Sequence, residues 1–203
     1  MQRLLAYGGL IFDLDGTLVD SMHLHVAGWA HAAERFGFAF DPATFHAWGG
    51  IPARKIVPLI NARQRLALDV EAVAAAKTAY YWSHIGEVRP IAATLGIVTV
   101  MHGKLPMAIA TGTPRVNLDR VLADTGLGRY FDAVVCAEDV ENHKPHPDTF
   151  LLAAKRLRVP ARRCLAFEDT GIGLAAAAAA GMDCVAVKDG EIRWDPGPAA
   201  QAG

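Results

Sequence analysis

Gly8-Gly9-Leu10-Ile11-Phe12 is an apolar run that ends abruptly on two carboxylates, Asp13 and Asp15, with Gly16 and Thr17 directly behind them. A short apolar run bounded in this way reads as a strand buried on both faces, the kind found in parallel sheets. Its end delivers Asp13 and a Gly-containing loop to the carboxyl edge of the sheet, where open α/β proteins build their sites. Two acids one residue apart repel, so each is expected to hold its proton to higher pH than usual. A bound cation resolves that conflict and points to metal-assisted chemistry on an anionic substrate.

Beyond this loop the periodicity changes. Residues 20–37 show helical spacing, with Val26, Trp29, Ala30, Ala33 and Phe36 on one face. A second helix is expected near 53–66, after the Gly49-Gly50-Ile51-Pro52 turn, and a third, alanine-rich one near 70–85. No strand-like run lies between 20 and 88, which predicts a helical insertion. From residue 90 onward strands near 105–110, 131–136, 164–167 and 182–187 alternate with helices near 114–126, 148–157 and 171–180. The expected architecture is α/β: a Rossmann-like parallel sheet core formed by 1–19 and 88–203, with a small helical cap, 20–87, inserted after the first strand. Alanines at 175–180 suit a helix that approaches the sheet closely. The tail 189–203, with Pro196, Gly197 and Pro198, reads as poorly ordered.

Composition narrows the partners. With 203 residues, 52% of them hydrophobic, the chain can bury a sizeable core. A net charge of −1 argues against nucleic acid, whose phosphate backbone calls for a basic surface. The acids at 13 and 15 interrupt the apolar N-terminus, so no signal peptide is expected, and the apolar stretch 91–101 is shorter than the roughly 20 residues a membrane span takes. No membrane partner is anticipated. Cys136, Cys164 and Cys184 are widely spaced and read as small buried hydrophobes in a reducing cytoplasm.

Three further polar clusters fall at expected strand ends. Thr111-Gly112-Thr113 offers a hydroxyl and backbone amides to phosphate oxygens, although the same run before Pro114 also reads as a helix N-cap. Lys144, inside His143-Lys144-Pro145-His146-Pro147, is placed to neutralise a carboxylate and a phosphate together; a solvated loop lysine is the alternative. Glu168-Asp169 ends the apolar Leu165-Ala166-Phe167 run. Capping of the following helix by Asp169 or Thr170 would account for one of these residues and leave Glu168 unexplained. Together the four clusters bring carboxylates for a hard cation, an ammonium, phosphate donors and a nucleophile to one crevice, which is a phosphoryl-transfer site in outline.

These motifs, Asp13-Leu14-Asp15-Gly16-Thr17, Thr111, Lys144-Pro145 and Glu168-Asp169, resemble in order and spacing the four motifs of the haloacid dehalogenase-like (HAD) phosphohydrolases. The insertion is similar to the small helical cap of the β-phosphoglucomutase-like branch. The segments Tyr130-Phe131-Asp132-Ala133-Val134-Val135, His143-Lys144-Pro145 and Phe167-Glu168-Asp169 look like those of bacterial sugar phosphatases acting on fructose 1-phosphate and 6-phosphogluconate. The resemblance implies an aspartyl-phosphate formed on Asp13, with Asp15 as the acid and then the base. It implies Mg²⁺ held by Asp13, the backbone carbonyl of Asp15 and Asp169, with Glu168 orienting the shell. Thr111 and Gly112 would hold phosphate oxygens, and Lys144 would offset charge on Asp13 and the phosphoryl group. In the cap, His25 and Trp29 match family positions, and Lys55 and Lys77 are candidates for holding the substrate. A monomer suits a mobile cap.

A phosphomutase is the nearest rival. Its cap carries an arginine three positions after the glycine matching Gly50, where this chain has Ala53, with Arg54 displaced by one and so turned by about 100° on a helix. A dehalogenase of this fold needs no Mg²⁺ and is disfavoured by Asp15 with Glu168-Asp169. A P-type ATPase would need membrane helices. A non-catalytic phosphometabolite-binding protein predicts loss of Asp13 or Asp15, and both are present.

Overall fold

The computed structural model describes residues 2–194. Strand β1, Gly9–Phe12, leads into a short strand β2, Val19–Asp20, and then four helices: α1, Met22–Phe36; α2, Pro42–Ala47; α3, Ala53–Gln64; and α4, Val70–His84. Strand β3, Arg89–Pro90, and helix α5, Ala92–Met101, precede β4, Met107–Ala110, and α6, Arg115–Thr125. The remainder comprises β5, Ala133–Val135; α7, Asp148–Leu157; β6, Cys164–Glu168; α8, Gly171–Ala179; β7, Asp183–Lys188; and β8, Glu191–Arg193.

Six strands form one sheet in the order β5-β4-β1-β6-β7-β8, parallel except for the antiparallel β8. The apolar run that opens the chain is thus the central strand, flanked by β4 and β6. The chain runs to one side of it through β4 and β5 and then returns to the other through β6 and β7. Open α/β sheets form their binding crevice at such a reversal, beyond the carboxyl ends of the strands.

Alternation along the strands divides the core into two layers. Leu10, Phe12, Met107, Ile109, Leu165 and Phe167 pack with Val98 and Met101 of α5 and Leu118 and Val121 of α6. Ile11, Ala108, Ala110 and Ala166 face the other way, toward α7 and α8. Small residues on that side let α8 lie close, and Ala176 and Ala177 are fully buried there. Phe12 and Phe167 stack at 4.5 Å between ring centroids, just below the carboxyl edge. Burying such a side chain contributes about 1.5–3 kcal/mol, so the strand ends that carry the polar clusters are firmly anchored.

The insert has its own apolar cluster, in which Trp29, Phe38, Phe45, Ile56, Val57, Ile60 and Val73 meet. Strands β2 and β3 pair antiparallel at its two ends, Val19 opposite Pro90 and Asp20 opposite Arg89. Three expectations need correction. The buried face of α1 is Leu24, Gly28, Trp29, Ala32 and Ala33, with Val26, Ala30 and Phe36 only partly covered, because Gly28 seats against the backbone of Lys77 on α4. Helix α2 was not anticipated; it is six residues long and is started by Asp41, whose carboxylate accepts from Thr44 N–H. The tail expected to be poorly ordered begins instead with a hairpin: Asp189 and Gly190, both at positive φ, turn β7 into β8. The rest of that tail, 195–203, lies outside the described residues.

Candidate active site

Asp13 follows the last residue of β1, Thr111 the last of β4, and Glu168 is the last of β6, so three elements present their polar ends at one edge. The loop after β5 supplies Lys144. Its side chain is fully buried, with Nζ 2.6 Å from Asp13 Oδ1 and 2.5 Å from Glu168 Oε1, above the Phe150 ring at 4.8 Å. Lys144 is therefore an internal counter-ion and not a solvated loop lysine. Its two carboxylates outweigh the effect of burial and hold it above the ordinary lysine range.

Glu168 is held at its other oxygen, Oε2, by the backbone N–H and hydroxyl of Thr170, at 2.9 and 3.0 Å. Thr170 is also the N-cap of α8, accepting from Gly173 N–H, so the acid pair is free of that duty. Gly173 has a reason of its own: a Cβ there would collide with the Glu168 carboxyl group. Asp169 accepts a 3.3 Å hydrogen bond from Thr17 of the first loop.

Asp13, Glu168 and Asp169 offer carboxylate oxygens within 4.8 Å of one another. One ammonium serves these three acids, and the site is short of positive charge. Burial, then the neighbouring acids, push Asp13 well above the usual carboxylate range against the pull of Lys144. Asp169 is pushed up to about 7, again by burial first and Glu168 second. A hard divalent cation is the chemical complement of this all-oxygen, charge-deficient set.

Asp15 departs from the expected shared repulsion. Its carboxylate is turned toward the insert, where Oδ1 meets Ser21 Oγ at 2.5 Å and His25 Nε2 at 3.0 Å and Oδ2 accepts from Thr113 Oγ1. Burial alone would raise its pKa, but His25 and the two hydroxyls outweigh it and hold Asp15 well below the carboxylate range. The two aspartates are thus pushed in opposite directions. Lys77 Nζ lies 2.6 Å from His25 Nδ1. An ammonium only donates, so Nδ1 is the acceptor and the ring proton sits on Nε2, facing Asp15. Burial brings Lys77 down to about 8 and also lowers His25, whose ring stacks on Tyr81 at 4.5 Å.

A cavity of about 80 Å³ lies between this edge and the insert. Asp13, Asp15, Thr111, Gly112 and Thr113 line its floor, and Met22, His25, Trp29, Phe45, Trp48, Ile56 and Lys77 its roof. The 49–52 turn closes over it so tightly that a Cβ on Gly112 would strike the Gly50 carbonyl oxygen. Lys55 is exposed on α3 outside this lining, and Arg54 points away to pair with Glu71 at 2.7 Å. Sequence reasoning missed Ser21 and read Thr113 only as part of a phosphate-binding or capping run. Both stand where a helix cap is expected, before α1 and just ahead of α6, yet neither hydroxyl caps, because both serve Asp15.

Residues 10–187 match the model of the haloacid dehalogenase-like hydrolase family. The chain belongs to that family. It is 40% identical over 183 residues to the fructose-1-phosphate phosphatase YqaB of Escherichia coli (strain K12), covering 90% of this chain and 97% of the relative. A phosphorylated carbohydrates phosphatase of Thermotoga maritima is 28% identical over 200 residues, covering 94% and 92%. A solved β-phosphoglucomutase from Clostridium difficile superposes with a TM-score of 0.80 at 25% identity, covering 89% of this chain and 84% of that one. The protein is accordingly a HAD-like phosphoric monoester hydrolase with the mostly parallel, helix-flanked sheet of that family. No helix among the described residues is long and apolar enough to cross a membrane.

Proposed function

We propose that this chain is a Mg²⁺-dependent phosphatase of small sugar monophosphates, fructose 1-phosphate or a 6-phosphogluconate-like acid among them. The observation that carries the reading is the placement of cations. Lys144 is paired with Asp13, the residue that would meet the transferring phosphoryl group, and the cationic side chain lining the cavity, Lys77, is tied through His25 to Asp15. Arg54 and Lys55 lie outside that lining, so among the described residues Lys77 alone of the lysines and arginines lines the cavity, and it is already engaged with His25. That arrangement favours a hydrolase of monophosphates over a mutase working through a bisphosphate.

In this reading Asp13 attacks phosphorus, forming the aspartyl-phosphate as the bond to the sugar oxygen breaks. Thr111 and the Gly112 amide hold phosphoryl oxygens, and Lys144 offsets the charge that grows on them. Mg²⁺, held by Asp13, Asp169 and the Asp15 carbonyl, would supply the positive charge that the acid cluster lacks. Glu168, fixed by Lys144 and Thr170, orients the set. The entering phosphoryl dianion raises the pKa of Asp15, which takes up a proton from solvent as substrate binds and passes it to the leaving oxygen. Ionised again and steadied by Ser21, His25 and Thr113, Asp15 takes a proton from the water that cleaves the acyl phosphate. The insert, 20–87, acts as a cap whose Trp29 and Phe45 wall the sugar from bulk water. Three unbridged cysteines suit a cytoplasmic setting.

The test is phosphate release over a panel of sugar phosphates with Mg²⁺, together with β-glucose 1-phosphate plus a trace of its 1,6-bisphosphate. Release of inorganic phosphate is expected. Efficient formation of glucose 6-phosphate would overturn the hydrolase reading.

A further inference from the structure

Asn117 lies in the first turn of α6, one helical turn beyond the Thr111-Gly112-Thr113 loop, and is 5% exposed. It lines the cavity beside Pro114 and, from α4 of the insert, Thr78. Its Oδ1 accepts a 2.5 Å hydrogen bond from the indole Nε1 of Trp82, which is also on α4. An indole N–H is a donor only. The bond therefore settles which way the carboxamide faces: oxygen toward Trp82, NH₂ toward the other side. Among the described residues Nδ2 forms no hydrogen bond.

We propose that Asn117 is a substrate-binding residue that donates through Nδ2 to a hydroxyl or carbonyl oxygen of the sugar, and that Trp82 is the positioning residue that sets its amide. The donor sits past the phosphate loop, at the depth where the carbon skeleton of a bound phosphomonoester begins. Because Trp82 belongs to the insert and Asn117 to the sheet core, the amide is oriented only when α4 lies against α6. Recognition of the sugar is thereby coupled to closure, without a charged group. The proposal rests on the sugar-phosphatase reading above.

The test compares fructose 1-phosphate with p-nitrophenyl phosphate, which carries the phosphoryl group without sugar oxygens. Losing one hydrogen bond to the sugar is expected to raise KM for fructose 1-phosphate about 3- to 10-fold in Asn117→Ala and leave p-nitrophenyl phosphate unchanged. Asn117→Asp still accepts from Trp82 but has no NH₂, so it should lose affinity for the sugar substrate at least as far as the alanine variant. Trp82→Phe is expected to act in the same direction, and the double variant with Asn117→Ala to be no worse than Asn117→Ala alone. Wild-type kinetics in Asn117→Asp would reduce the pair to a structural contact and overturn the proposal, as would equal losses on both substrates or additive losses in the double variant. If Asn117→Ala fails to fold, the Asp and Phe variants decide the question. Cleavage of p-nitrophenyl phosphate with no turnover of any sugar phosphate would instead remove the functional reading, and this proposal with it.

Discussion

Replacing Lys144 by methionine separates the electrostatic role of the site from its packing. The methionine fills the same buried space over Phe150 but leaves Asp13 and Glu168 without the ammonium that sits 2.6 and 2.5 Å from them. Breaking a buried pair by removing one partner costs about 3–5 kcal/mol. For a chain of this size each kcal/mol moves Tm by about 2–4 °C, which puts the expected drop at roughly 6–20 °C. The loss has a pH signature. Asp13 and Asp169 already stand above the usual carboxylate range, and Asp13 rises further without the cation. A carboxyl whose folded pKa exceeds its unfolded one binds more protons when folded, so stability falls as pH climbs from the unfolded value, about 4, through the folded one. Calorimetry of the metal-free proteins should therefore show a larger deficit at pH 8 than at pH 5. Turnover should fall by at least about 10²–10³-fold, the scale of losing one donor to a developing oxyanion. A Tm within 2 °C of the wild type, or the same deficit at both pH values, would refute the view that Lys144 balances the carboxylates.

Asp13→Asn should fold normally and release no phosphate above the buffer background; turnover at the wild-type rate would remove Asp13 as nucleophile. Thr113→Val takes one of three donors from Asp15, the proton donor of the first step, and should move the alkaline limb of the burst rate with saturating substrate up by about one pH unit, read directly from pH–rate curves. An unmoved limb would mean that another group titrates there. Gly112→Ala places a Cβ against the Gly50 carbonyl and should lower kcat/KM for sugar phosphates by about 10²-fold, with a stability loss of about 1–3 kcal/mol as the 49–52 turn is pushed away. Full activity in that variant would show that the tight approach of the 49–52 turn is not needed for turnover.

The strand-end residues were legible because a buried parallel strand is a continuous apolar run, and the first polar residue after it marks the sheet edge. Asp13, Thr111 and Glu168 all follow that rule. Lys144 was legible only through its spacing to the other motifs, since nothing local distinguishes it from a loop lysine. What the sequence concealed depended on tertiary contact. Ser21 and Thr113 look like helix caps until Asp15 is seen turning toward both. Lys77 was a candidate for holding the substrate, but an alanine-rich helix gives no sign that the side chain is buried against His25. Two omissions had local signals: Asp41-Pro42 before α2 is a cap followed by a helix-starting proline, and Asp189-Gly190 is a hairpin dipeptide with both residues at positive φ.

The pairing of Val19 with Pro90 and Asp20 with Arg89 brings the two crossings into the insert side by side. Cross-strand neighbours in such a ribbon stand only about 4.5–5.5 Å apart at Cα, a gap that a two-residue turn can bridge. The helices between them thus hang from the sheet as an interchangeable module, much as a loop does. Asp13, Lys144, Glu168 and Asp169 all lie outside it, while Trp82, Lys77 and His25 lie within. Substitution or lengthening of the module could redirect which phosphate ester is accepted, provided that Ser21 and His25, which hold the Asp15 carboxylate from inside it, are kept.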